Sequence, residues 1–243
     1  MNNMKTNGRN NNTVKMDEYE RPTFWLYTGT DEVFYKTRIK RVLDILGNSS
    51  NMDILDIGCG DGRTTYELSK HAKSIIGIDP IKRAIDFAQV LGKQKNTKYY
   101  VKNTDKLNSF KDNKFDAITC LEVIEHIAPQ KIPHFLENVA RVLKPNGLFI
   151  ISTINGARRK NPNPHHYKEY TINELKERIN PYFNIESVIG VLLAYPLKRY
   201  SIIRNIVPFK LIFKWQIRNG LNYPEWSYDV IYKLVVKKGD KKC

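Results

Sequence analysis

Cysteine is scarce in this chain of 243 residues: Cys59, Cys120 and Cys243 are far apart, and no two form a CxxC pair. That excludes a disulfide framework and a four-cysteine zinc site, and it fits a reducing, cytoplasmic setting. No run of 18 apolar residues is present, so no segment can span a bilayer as a helix. The N-terminus lacks the apolar core of a secretory signal, so none is expected. No unit repeats along the chain. Acids are also few, with 25 Asp and Glu against 40 Lys and Arg, a net charge of +15. The surplus favours an acidic partner, nucleic acid or an anionic membrane, and says nothing of the fold.

Apolar content is ordinary. Hydrophobic residues make up 41% and aromatics 11%, which excludes a wholly disordered chain. Residues 1–15, rich in Asn and Lys, read as a disordered tail. Residues 16–243 read as a single domain, long enough to bury a core. Phe24, Trp25, Leu26 and Tyr27 should pack on something, and Asp31 can cap a helix reaching about Leu46.

From Met52 onward, short apolar runs alternate with amphipathic segments. The runs predict strands at Asp53–Ile57, Ser74–Ile78, Lys98–Val101, Phe115–Thr119 and Leu148–Thr153. The segments between predict helices at Arg63–Lys70, Ile81–Leu91 and Lys131–Leu143. Such alternation means βαβ units, a parallel sheet and right-handed crossovers. The Lys144-Pro145-Asn146-Gly147 turn should end the long helix before the fifth strand. Thr171 and Glu174 have capping-box spacing, and further strands are expected at Asn184–Val191 and 227–238.

The most informative segment is Asp56-Ile57-Gly58-Cys59-Gly60-Asp61-Gly62, between a strand and a helix. Its glycines allow a tight turn and close approach of backbone to a ligand, and the following helix presents N–H groups. Asp79 ends the second strand, where a carboxylate can accept hydrogen bonds from both hydroxyls of a ribose. The pattern calls for an adenosine-containing cofactor. The nicotinamide fingerprint is G-x-G-x-x-G, whereas this loop reads G-x-G-x-G with an acid two residues before it.

With Asp56, the three glycines, Asp79, Phe115-Asp116 and Leu143-Lys144-Pro145-Asn146-Gly147 in place, the sequence resembles class I S-adenosylmethionine-dependent methyltransferases. Within them it is most similar to the type 11 group, which includes ubiquinone-pathway O-methyltransferases; residues 40–155 carry the likeness closely. The resemblance implies an α/β, Rossmann-like, doubly wound, seven-stranded sheet with the last strand antiparallel. It implies S-adenosyl-L-methionine as cofactor, with Gly58 and Gly60 facing its methionine part and Asp79 its ribose. Leu121 would flank the sulfonium, and Asn103 and Thr104 the adenine. Asn103 stands where the family often has Asp; its amide oxygen still accepts a hydrogen bond, without the charge. Asp56, Cys59 and Pro80 complete the expected cofactor set, Cys59 being a loop residue that packs.

Methyl transfer needs a nucleophile aligned with the methyl group and a route for its proton. After the fourth strand the chain reads Cys120-Leu121-Glu122-Val123-Ile124-Glu125-His126. His126 has the pKa range of a general base near neutrality, and Glu122 would share its face if the stretch is helical. His126, with Glu122 and Glu125, is the expected catalytic set. By the resemblance to ubiquinone-pathway enzymes and small-RNA 2′-O-methyltransferases, Glu122, Glu125 and His126 could also hold a divalent metal. His165 or His166 would then be the distant ligand, and His166 is the one assigned. Two imidazoles would suit a transition metal better than magnesium. Otherwise the His/Pro loop packs over the crevice.

Before the last strand lies a basic, apolar insert at 192–222. Residues 191–223 hold six Lys or Arg and no acid, interleaved with aliphatic and aromatic side chains. It reads first as a substrate lid, second as a peripheral membrane contact, third as a nucleic-acid surface. The expected function is O-methylation of a small-molecule or lipid-soluble acceptor, such as a quinone, a phenol or a glycan. The alternative is an RNA 2′-O-methyltransferase or a nucleic-acid-binding protein on the same fold.

Overall fold

The computed structural model describes residues 20–159, 161, 163–193 and 209–237. The expected tail at 1–15 and the middle of the basic insert lie outside the described residues.

The elements alternate as the hydrophobic pattern requires. A helix α1 (Gly29–Leu46) precedes β1 (Asp53–Ile57), α2 (Arg63–Ser69), β2 (Ser74–Asp79), α3 (Lys82–Leu91), β3 (Thr97–Val101) and β4 (Phe115–Leu121). Then follow α4 (Ile132–Val142), β5 (Leu143–Ile154), α5 (Ile172–Ile179), β6 (Phe183–Gly190), α6 (Phe209–Gly220) and β7 (Asp229–Val236). The strands form one sheet in the order β3-β2-β1-β4-β5-β7-β6. β1 to β5 are parallel, and β7 runs antiparallel to both β5 and β6. This is the expected doubly wound sheet with its last strand antiparallel.

Both faces of the sheet are covered, so its central strands carry apolar side chains on both faces. On one face Phe135, Leu136 and Val139 of α4 and Leu175 and Ile179 of α5 pack on Leu55, Ile118, Phe149 and Tyr232. On the other, Val42 and Leu46 of α1 and Leu68 of α2 pack on Ile54, Ile75, Ala117 and Ile150. Each fully buried Leu, Ile, Val or Phe among them contributes about 1.5–3 kcal/mol.

Two local details differ from expectation. α1 begins at Gly29, and Asp31 sits in its first turn without acting as a side-chain cap. An acid there still opposes the positive end of the helix dipole. β5 begins at Leu143, ahead of the Lys-Pro-Asn-Gly turn. Phe115 pairs with Leu143 and Ala117 with Leu148, so the turn is absorbed as an irregularity within the strand. Asn146 takes a left-handed φ of 62° there. Lys144 Nζ is 2.7 Å from Asp116 Oδ1, whose other oxygen accepts the Asp53 N–H at 2.8 Å. The Thr171–Glu174 capping box forms as expected; the Lys168 ammonium first, then the Thr171 N–H and hydroxyl, lower the Glu174 carboxyl to about 2.

Candidate functional site

Parallel strands end at one edge of the sheet, and the loops that follow them surround a cavity of about 300 Å³. Its lining includes Asp56, Gly58, Cys59, Asp79, Pro80, Asn103, Thr104 and Leu121, together with Tyr27, Arg38, Glu122 and His126. Of the expected cofactor set only Gly60 is not part of that lining.

The glycine turn is fixed by backbone chemistry. Gly58 and Cys59 both donate N–H bonds to the Ile78 carbonyl, which ties the turn to β2. Gly58 has φ 73°, and a Cβ there would lie 2.2 Å from Val123 Cγ2. The turn therefore sits against the segment that follows β4. Asp79 accepts the Gly60 N–H through Oδ2 at 3.2 Å and the Ile81 N–H through Oδ1 at 2.9 Å. Those bonds orient its carboxylate at the end of β2.

Asp56 is fully buried. Its oxygens accept from the Thr65 and Thr119 hydroxyls at 2.6 and 2.7 Å, and burial raises its carboxyl to about 6. It braces β1 against α2 and β4. The Cys59 side chain packs with Ile85, Ala88 and Tyr99, as its reading as a packing residue implied. Asn103 Oδ1 accepts the Thr104 N–H at 2.7 Å, opening the short turn beside the cavity.

The segment after β4 is less regular than a helix. Glu122 takes a left-handed φ of 57°, and only Ile124–His126 form a 3-10 turn. The two acids therefore go to different neighbours. Glu122 Oε1 accepts from Ser152 Oγ at 2.7 Å, and Oε2 is 3.7 Å from Arg38. Arg38 pairs more closely with Asp229, at 2.6 Å. Glu125 is buried, accepts from Thr153 Oγ1 at 3.0 Å, and does not line the cavity. Burial, followed by the charge of Glu122, raises the carboxyls of Glu125 and Asp229. One guanidinium thus serves two carboxyl groups, Asp229 and Glu122.

The histidines meet as a group. Glu125, His126 and His166 bring one ligand atom each within 4.8 Å of the others. The His126 and His166 rings stand edge to face, 4.7 Å apart. His166 Nδ1 is 2.7 Å from Glu169 Oε1, and His126 Nδ1 is 3.3 Å from the His165 carbonyl. A carboxylate or carbonyl on one ring nitrogen makes it the donor and the other the acceptor, which is how metal-binding imidazoles are oriented. His166 Nε2 also lies 3.3 Å from the Asn163 amide nitrogen. Glu122, expected in the same ligand set, is not part of this group: its left-handed backbone turns it toward Ser152 and Arg38. His165 is exposed and contributes its carbonyl alone. The donor set fits a transition metal held by two nitrogens and one oxygen.

The N-terminal segment was the least readable part. Phe24 donates its N–H to Asp61 Oδ2 at 2.7 Å, and Trp25 Nε1 donates to the Asp61 carbonyl at 2.9 Å. Arg63 donates to the Phe24 carbonyl and binds both oxygens of Glu32, at 2.8 and 2.6 Å. Trp25 stacks against Tyr66 with centroids 5.2 Å apart. Thr23, Phe24 and Tyr27 line the cavity, whereas no described residue of the 192–222 insert does. Asp61 within the glycine loop and the Phe-Trp-Leu-Tyr cluster were the available signals. Nothing in their spacing joins one to the other across 36 residues.

Fold and cavity together place the glycine turn and Asp79 at the carboxyl edge of a Rossmann-like sheet, the place where open α/β sheets take their ligands. A methyltransferase-domain family model matches residues 55–151. The ubiquinone biosynthesis O-methyltransferase of Rickettsia canadensis (strain McKiel) is 33% identical over 123 residues, 50% of each chain. The Rickettsia akari (strain Hartford) protein of that name is 36% identical over 112 residues, 45% of this chain and 43% of its own. The chain thus spans about half the length of the curated relatives it matches. Among solved structures, the N-methyltransferase NodS from Bradyrhizobium japonicum WM9 with S-adenosyl-L-homocysteine superposes with a TM-score of 0.66 at 16% identity. That match covers 95% of this chain and 100% of NodS. The [4+2]-cyclase SpnF has a TM-score of 0.59 at 16% identity, over 82% of this chain and 80% of its own. These likenesses are of fold.

Proposed function

We propose that this protein transfers the methyl group of S-adenosyl-L-methionine to a hydroxyl oxygen of a small or lipid-soluble acceptor, a quinone, phenol or glycan. One observation carries this reading: the glycine turn, Asp79, Glu122 and His126 all line a single cavity. Bound there, the cofactor supplies a methyl group already activated by positive sulfur.

The chain's own residues bind, orient and take a proton. Gly58, Cys59 and Gly60 lay backbone against the methionine part, Asp56 braces the turn, and Asp79 accepts from the ribose hydroxyls. Pro80, Asn103 and Thr104 border the adenine, and Leu121 flanks the sulfur. Tyr27 closes the cavity from the N-terminal side and helps exclude water. The acceptor O–H would give its proton to His126 as its oxygen takes the methyl carbon from sulfur, with S-adenosyl-L-homocysteine as the other product. With Nδ1–H turned to the His165 carbonyl, Nε2 is the atom that accepts it. Glu122 lines the same end, and buried Glu125 backs the imidazole.

A second reading follows from the grouping of Glu125, His126 and His166. A divalent ion held there would lower the pKa of an acceptor hydroxyl. Activity retained in full with chelator removes that reading and leaves His126 as the base.

The test is titration calorimetry with S-adenosyl-L-methionine, followed by a labelled-methyl screen over small-molecule, lipid and RNA fractions. Asp79→Ala should weaken cofactor binding roughly a hundredfold, since hydrogen bonds to a charged group are worth about 1.5–3 kcal/mol each. No binding by the parent protein sinks the reading. Binding without transfer to any fraction would point to a different reaction on the same scaffold.

A further inference from the structure

We infer that the outer face of α6 docks on an anionic lipid surface. The inference does not rest on the reaction proposed above.

α6 is anchored by its inner side. Gln216 is 4% exposed and donates through Nε2 to the Leu193 carbonyl at 3.0 Å. Leu193 N–H returns a bond to the Gln216 carbonyl at 3.2 Å, and Arg41 of α1 reaches the Ile217 carbonyl at 3.2 Å. Gly220 is buried against Val191. At about 100° per residue, Leu211, Lys214, Trp215 and Arg218 share an arc of about 100° on the opposite side. All four are exposed, Leu211 by 55% and Trp215 by 48%.

Exposed aromatics continue beyond the helix, at Tyr223, Trp226 and Tyr228. Arg158 stacks on the Trp226 ring at 4.2 Å. Leaving Leu211 exposed along with Tyr223, Trp226 and Tyr228 gains nothing in water, so the face calls for an apolar occupant. Tryptophan and tyrosine beside Lys and Arg suit the boundary between headgroups and acyl chains.

Charge chooses among occupants. Residues 191–223 carry six Lys or Arg and no acid, and Glu225 is the next acid along the chain. A two-fold dimer through this face would set Lys214 and Arg218 against their own copies. An anionic bilayer neutralises them and accepts Leu211 at the same time. An RNA strand would pair with the cations but leave the leucine in water.

The placement gives docking a direction. Asp229, at the start of β7, pairs with Ile154 at the carboxyl end of β5. The chain that follows α6 therefore returns to the same sheet edge as the cavity. A surface-bound protein would hold that edge near the bilayer.

The test is co-sedimentation of the full chain with phosphatidylcholine vesicles, with and without phosphatidylglycerol. Pelleting is expected with phosphatidylglycerol only, and it should fall as salt rises. Each cation near such a surface is worth about 1 kcal/mol, so Lys214→Gln with Arg218→Gln should lower the partition coefficient roughly thirtyfold. Leu211→Asp should also release the protein. Thermal unfolding checks that the variants fold, and cofactor titration reads the proposed reaction separately. No pelleting, pelleting that ignores phosphatidylglycerol, or pelleting unchanged by all three substitutions would overturn the inference. So would loss, in the same variants, of a dimer or of oligoribonucleotide binding in a protein that does not pellet.

Discussion

Two groups of residues that line the cavity, its cofactor and acceptor ends by their proposed roles, are built in different ways. The Gly58–Asp79 end is made by consecutive elements, β1, a turn, α2 and β2, with bonds that span about twenty residues. Its polar contacts are backbone N–H groups meeting fixed carboxylates. The Arg38–Glu122 end is assembled from distant parts, and its central ion pair joins residues 191 apart. The first end can be specified by a short motif; the second exists only when the whole sheet is formed. A shared cofactor needs the former, and a variable acceptor can be accommodated by changing the latter.

That contrast can be broken at either end. The largest effect is expected at the acceptor end: His126→Gln should lower kcat about a hundredfold or more, the usual range for a lost general base, with cofactor affinity unchanged. Glu122→Gln assayed in parallel separates the two candidates. Equal loss of cofactor affinity in both would mean the ends are not separable.

At the cofactor end, Gly58→Ala forces a side chain into positive φ and against Val123. It should cost about 1–3 kcal/mol in thermal unfolding and weaken the cofactor. Adding Val123→Ala should recover the steric part and leave the backbone part. Asp61→Ala should do less to stability, about 1–2 kcal/mol, while freeing the Phe24–Tyr27 segment. Limited proteolysis should then cut near that segment sooner, and cofactor affinity should fall several-fold.

The smallest effect is a slope. Burial and Glu122 raise the Asp229 carboxyl toward about 7. A carboxyl that holds its proton more tightly when folded stabilises fully below its unfolded value near 4, and that contribution is lost as pH rises toward 7. Asp229→Asn keeps the group neutral. Its melting temperature should therefore decline less steeply than the parent's across that interval.

The parallel strands and the glycine turn were legible because local periodicity and φ requirements fix them. Asp79 could be placed by counting to the end of the next strand. Glu122 was not, because a left-handed residue at the end of β4 breaks the helical spacing that would have set it beside His126. Asp61 carried a visible carboxylate but no sign of its partner. Its bonds to Phe24 and Trp25 come from the tertiary path of the N-terminal segment. His166 could be paired with His126 only through resemblance, since 40 residues and two elements separate them.

The bond between Arg38 and Asp229 also orders events in time. β7 lies between β5 and β6, so β6 has no place in the sheet until the last strand is made. A nascent chain can close β1 to β5 and shape the glycine turn first. Arg38 stays without its closest counter-charge until Asp229 arrives. Synthesis thus completes the glycine turn and Asp79 well before the Arg38–Asp229 pair can form, and the proposed acceptor side waits on β7.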